Sequence, residues 1–182
     1  AYEIPKRDWS SDVCSSDLNI CNDPGVPQGG KPVGLRPCPG LNGRGGIWRF
    51  SATTPEQKFS DGEQMATGIR DMVALEWSRD RNALYGAMQG RNGTHDSFPE
   101  LVSEADENAV AEELHLVTKG TNFGWPYTYF DSTRKIRVVA PEYGGDNKTP
   151  ARDGYSTPVI AFPGHSSPID FAFPRETLFP AA

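Results

Sequence analysis

The sequence predicts an all-β fold of short antiparallel strands, and three observations lead there. Glycine and proline supply 19 and 16 of the 182 residues, well above the roughly 12% of ordinary chains, so turns are frequent. Aromatic side chains (Trp 4, Tyr 6, Phe 9) set the chain apart from disordered sequences, although Leu, Ile, Val and Phe together are near the ~20% floor for folded proteins. Apolar runs of strand length recur between turn residues, and no long window keeps a helical stripe.

Taken in order, residues 21–46 are crowded with Pro24, Gly25, Pro27, Gly29, Gly30, Pro32, Gly34, Pro37, Pro39 and Gly40 and read as a long surface loop. Strands are expected at 46–51, 64–68, 73–77, 83–89, 112–118, 127–130, 138–140, 159–162 and 169–173. Alternation is cleanest at 112–118, where Leu114, Leu116 and Thr118 face one way and Glu113, His115 and Val117 the other. Residues 100–111 are expected as an acidic loop with one helical turn. Trp48, Trp77 and Trp125 read as core.

An internal repeat orders these strands. Residues 68–79 lie on 164–175 without a gap at an offset of 96, matching Val73 with Ile169, Leu75 with Phe171 and Trp77 with Phe173 before a shared arginine. Half of 96 is 48, near the length of a propeller blade, which puts 112–118 in an intervening blade. A single blade cannot bury its own faces. The expectation is therefore about three antiparallel four-stranded blades of a partial β-propeller, with two similar hairpins in a β-sandwich as the alternative.

The net charge of −6 argues against a basic nucleic-acid-coating protein, and no run approaches the roughly 18 apolar residues of a membrane span. Nor does a basic segment followed by an apolar run open the chain. Residues 8–18, DWSSDVCSSDL, resemble the translation of a common short-read sequencing adapter at every position. Residues 1–18 are accordingly set apart, and 19–182 are read as the propeller segment. Without 8–18 three aspartates and no basic group are lost, which halves the net charge to −3. Cys14 goes with them and leaves Cys21 and Cys38, an even pair whose disulfide would suit an exported protein.

Several motifs carry a resemblance. Residues 112–126, EELHLVTKGTNFGWP, are similar to the E-(I/L)-N-L-(I/V)-x-K-G-x-N-(Y/F)-G-W-P segment of the glucose/sorbosone dehydrogenase family. Residues 66–71, ATGIRD, resemble that family's (A/T)-x-G-(L/I)-R-N. Residues 43–50, 84–91, 140–144 and 162–170 resemble its sorbosone-dehydrogenase-like branch, in family order. The resemblance implies a six-bladed propeller, of which about three blades are present. It also implies a periplasmic or secreted enzyme that oxidises an aldose or sorbosone with pyrroloquinoline quinone and calcium.

It further implies roles for particular residues. Arg70 matches a cofactor-contacting arginine, and a guanidinium suits a planar tricarboxylate. Asp71 stands where the family has asparagine, and a second carboxylate there would repel an anionic quinone unless a cation or proton intervened. His165 matches a cofactor-proximal position. Glu107 and Asn108 fall where backbone carbonyls hold calcium, which takes oxygen donors, although the family's Gly-Pro is missing there. Glu112 matches an acidic residue that assists at the active site. His95 and His115 are weaker candidates, and the histidine and cysteine spacings offer no zinc pattern.

In the family mechanism a histidine of an early blade takes the sugar hydroxyl proton while hydride passes to the quinone. The chain is expected to begin after that blade and to be inert alone. Two other readings stand beside this one. One is a quinone-free propeller acting as a carbohydrate-binding or interaction module, and the other is a calcium-dependent lactone hydrolase.

Overall fold

The computed structural model describes residues 21–27 and 29–174. The adapter-like segment, Cys14 and the repeat's Arg175 lie outside them. The regular structure of the described chain is mostly β, with three sheets beside two single-turn α-helices and three short 3-10 turns, and long irregular connections make up the rest.

The largest sheet has four antiparallel strands in the order β3 (Asp71–Ser78), β4 (Ala83–Gln89), β5 (Glu112–Val117) and β9 (Ile160–Phe162). Beside it, β1 (Ile47–Arg49) pairs antiparallel with β2 (Glu63–Thr67), and β6 (Thr121–Asn122) adds a parallel edge to β2. A separate hairpin joins β7 (Thr128–Asp131) to β8 (Ile136–Val139). The α1 turn (Thr94–Ser97) and the α2 turn (Glu104–Glu107) interrupt the crossing from β4 to β5. Ser103 caps α2 by accepting from the Asp106 N–H, and the Asp106 carboxylate accepts in return from the Ser103 N–H, a reciprocal capping box. The acidic 100–111 segment thus carries its one helical turn.

Strand positions follow the sequence pattern closely, but pairing revises the blade count. The expected strand at 112–118 is the third strand of the sheet that β3 opens, not part of a second blade. The offset of 96 spans one four-stranded sheet, lengthened by a long excursion between β5 and β9. One four-stranded sheet is present among the described residues, where about three were expected, and the three sheets do not close a ring. Residues 169–173 do not join a ladder. Only part of the segment packs: Phe173 lies 5.0 Å from the Tyr85 ring and 5.8 Å from Phe171, while Ile169 is 80% exposed. Alternation prescribes a two-faced segment, and the ladder requires a free edge beside it.

The core is where the four-stranded sheet meets the β1–β2 sheet. Met88 and Val117 pack with Ala66, Ile69 and Phe123, flanked by Ile47, Met72 and Leu84. A second cluster, Val110, Tyr129, Val138 and Ala140, lies under the hairpin. None of the three tryptophans read as core is buried. Trp48 and Trp125 are half-buried, and Trp77 is 49% exposed.

The buried face of β5 is its polar one. Glu113, His115 and Val117 face inward, while Leu116 is exposed. Arg137 explains this inversion. Its Nη2 pairs with Glu113 Oε2, which also lies 3.0 Å from His115 Nε2, and the imidazole stacks on Phe123 at 4.1 Å between centroids. These three side chains are 3%, 0% and 8% exposed for Glu113, His115 and Arg137, so β5 and β8 are joined by an ionic seam in the interior. A second buried pair, bidentate Arg91–Glu142 at 2.8 and 3.0 Å, ties the chain after β4 to the turn after β8.

The Gly/Pro-rich stretch is anchored. Cys21 and Cys38, whose pairing the sequence left open, form a disulfide with Cα atoms 5.2 Å apart. Inside the closed loop Asn22 bridges to Gly34, and the Gly34 N–H donates to the Glu142 carbonyl at 2.7 Å. The Tyr143 ring fills the space a side chain at 34 would need, so only glycine lets the loop seat there.

Candidate cation cleft

The antiparallel order of the large sheet brings the starts of β3 and β5 and the ends of β4 and β9 to one rim. All six residues singled out by sequence lie at that rim: Arg70 and Asp71 at the opening of β3, Glu107, Asn108 and Glu112 at the entry to β5, and His165 just after β9. Three of them, Glu107, Asn108 and His165, line a common open cleft of about 370 Å³ with Asn92, His95, Asp96 and Glu104. Arg70, Asp71 and Glu112 do not line it.

The cleft is acidic. Asp96, Glu104 and Glu107 carry carboxylates, and among the described residues no lysine or arginine lines the wall. Glu107 spans it, with Oε2 accepting from the His95 N–H at 2.8 Å and Oε1 buried without a partner. The His95 ring is fixed by a 2.7 Å hydrogen bond between Nδ1 and the Val102 carbonyl. At the base of α2 the Ser103 hydroxyl, donating at 2.7 Å, holds the Asp106 carboxyl below the usual range.

Beside the cleft the backbone turns oxygens toward Gly164. The carbonyls of Val110, Asn108 and Glu107 lie 2.7, 2.9 and 3.1 Å from where a β-carbon at 164 would stand. Gly164 also donates its N–H to the Asn108 carbonyl at 2.9 Å, which fixes the β9 exit against the α2 exit. The Glu107 carbonyl accepts in turn from the Val110 N–H at 3.2 Å, and a carbonyl oxygen has a second lone pair. His165 and Ser167 follow with φ of 61° and 44°, a left-handed backbone that is costly for residues other than glycine and that gathers at functional sites.

Glu112 is committed elsewhere. It is 3% exposed, and its Oε2 accepts from the Gly90 N–H at 2.7 Å. It thereby holds the turn that delivers Asn92 and Gly93 to the cleft. Sequence reasoning names His95 only as a weaker candidate and Glu104 only as part of an acidic run, and it does not single out Asn92 or Asp96 of the wall.

The cleft offers carboxylate and amide oxygens, among them the orphaned Glu107 Oε1, and oxygen is the donor a hard cation such as calcium takes. The lining residues do not fit pyrroloquinoline quinone, because three carboxylates would repel a tricarboxylate and the cleft wall offers it no guanidinium or ammonium. Among the described residues no group of three or more His, Cys, Asp or Glu side chains is placed to hold a metal ion. No described helix is long and apolar enough to cross a membrane.

No protein-family model matches the chain. It is 24% identical over 119 residues to an uncharacterized protein of Borreliella burgdorferi, covering 65% of this chain and 27% of that protein. Two solved structures share its fold, a calcium structure and an iodide structure of Trichoderma reesei carbohydrate-active enzymes family AA12. Their TM-scores are 0.56 and 0.59 at 16% and 15% identity, each covering 76% of this chain and 39% of that chain. The chain thus spans well under half the length of these proteins, and the likeness is one of fold.

Proposed function

We propose that this chain is the calcium-holding portion of a sugar dehydrogenase of the glucose/sorbosone type, on a six-bladed propeller, acting on an aldose or sorbosone in the periplasm or outside the cell. The observation that carries the reading is the convergence of Glu107, Asn108 and His165 on one acidic cleft. The motif resemblance, the fold shared with the AA12 carbohydrate-active enzymes and a disulfide suited to oxidising compartments support it. Glu107 and Asn108 would hold the cation, aided by Asp96 and Glu104, and calcium would supply a fixed positive charge at the rim. Arg70 and Asp71 stand outside this cleft, so a quinone would need cationic partners beyond its wall.

The test is calorimetric titration of the chain with calcium. The expected result is one saturable site in the roughly 0.1–1 mM range of extracellular modules, weakened by Glu107→Gln and lost in Gly164→Ala. Absence of binding would overturn the reading. Added pyrroloquinoline quinone and aldose are expected to give no dye reduction, and turnover would overturn the conclusion that these residues do not fit the quinone.

The acidic wall also favours a second reading, a quinone-free propeller that binds carbohydrate through calcium. Sugar binding that requires calcium and ignores the quinone would select it.

A further inference from the structure

Asn92 belongs to the cleft wall and is followed by Gly93. It is exposed, lies outside any helix or strand, and neither its side-chain amide nor the Gly93 N–H has a hydrogen-bond partner among the described residues. Gly93 has no side chain to shield its nitrogen and adopts φ of 73°. A second Asn-Gly pair, Asn42-Gly43, is also exposed, but it does not line the cleft.

We infer that Asn92 is a self-modification site whose conversion adds a fourth carboxylate to the cleft; the consequence for binding rests on the cation reading above, while the modification itself does not. The deprotonated Gly93 nitrogen attacks the Asn92 side-chain carbonyl carbon. A five-membered imide forms through the new N–Cγ bond, the Cγ–Nδ2 bond breaks, and ammonia leaves. Water then opens the ring. Opening at Cγ restores the backbone with aspartate at 92, and opening at the main-chain carbonyl leaves an isoaspartyl link. One water is consumed, one ammonia is released, and no electron transfer occurs. Either product adds a negative charge to the wall that Asp96, Glu104 and Glu107 line, which raises the attraction for a divalent cation by about three- to tenfold for an exposed charge roughly 6–12 Å away.

The experiment uses the full chain made in bacteria, so that the Asn92-Gly93-Thr94 triplet stays free of glycan. After incubation at mildly alkaline pH, peptide mapping is expected to show amide-to-acid conversion at Asn92, abolished by Asn92→Gln and slowed by Gly93→Ala. Calcium titration is expected to show tighter binding for the aged protein and for Asn92→Asp, and unchanged binding for Asn42→Asp. An intact Asn92 after prolonged incubation would overturn the site. Conversion at 92 with Asn92→Asp binding calcium as the unmodified chain does would overturn its effect on the cleft. Failure of both forms to bind calcium would instead overturn the cation reading and the binding consequence with it, while the mass change at Asn92 would still decide whether the modification occurs.

Discussion

Two sets of carboxylates lie within ten residues of each other in the sequence and do opposite work. Glu112 and Glu113 are buried and fully engaged, one by the Gly90 N–H and the other by Arg137 and His115. Glu104 and Glu107 sit on an open wall with one buried oxygen unpartnered. As sequence they form a single acidic stretch. What separates them is what arrives from elsewhere in the chain: a guanidinium from β8 reaches Glu113, and among the described residues no lysine or arginine lines the cleft. A buried carboxylate with its partner holds elements together, and one without a partner keeps its capacity for an added cation.

Breaking the buried set should have the largest effect. Arg137→Ala leaves Glu113 charged and enclosed, and a loss of about 3–5 kcal/mol in chemical denaturation is expected. The double change Glu113→Leu with Arg137→Met should recover most of it, and no recovery would mean the seam does more than balance charge. Next is the disulfide, which closes a separation of 17 residues. Its removal by Cys21→Ser with Cys38→Ser should cost about 3 kcal/mol and lower the melting temperature. Glu112→Ala orphans the Gly90 N–H for about 1–3 kcal/mol, and faster amide exchange at Gly90 would locate the loss; Glu112→Gln keeps an acceptor oxygen and should cost less.

The exposed charges should matter less to stability. Asp146 accepts from the Thr149 N–H at 2.7 Å, the Thr149 hydroxyl at 2.7 Å and the Lys148 N–H at 2.9 Å, which hold its carboxyl at about 2 instead of the usual 3.8. The sign follows from that depression: the turn is held above pH 3.8 and released as pH falls toward 2. Chemical shifts of Lys148 and Thr149 should titrate in that window, and a midpoint near the ordinary value would break the assignment. Glu104→Gln should leave the melting temperature unchanged while weakening calcium binding; a large destabilisation would place Glu104 with the buried set instead.

Strand existence was legible because turn residues bracket short alternating runs, and eight of the nine expected strands lie within a few residues of an observed one. Pairing was not legible. The partner of β5 on one side is β9, whose chain arrives after a whole hairpin has intervened, and nothing local announces it. Nor was the buried face of β5 legible, since Leu114 and Leu116 are the more apolar choice and only Arg137, from a later strand, makes the Glu-x-His face the inner one. Family-like motifs pointed to Glu107, Asn108 and His165, which line the cleft. The crossing between β4 and β5, which supplies the rest of the wall, has too little regular structure to declare which way its side chains point.

The excursion that leaves the large sheet at Val117 returns so that the Val159 N–H bonds the Leu114 carbonyl at 2.7 Å. Departure and return are therefore neighbours on one strand, and the sheet does not measure the length of chain between them. Doubling such a span costs only about 0.6 kcal/mol of closure entropy. The hairpin region can thus be read as a cassette, open to lengthening or exchange, provided that the replacement still delivers a guanidinium to Glu113.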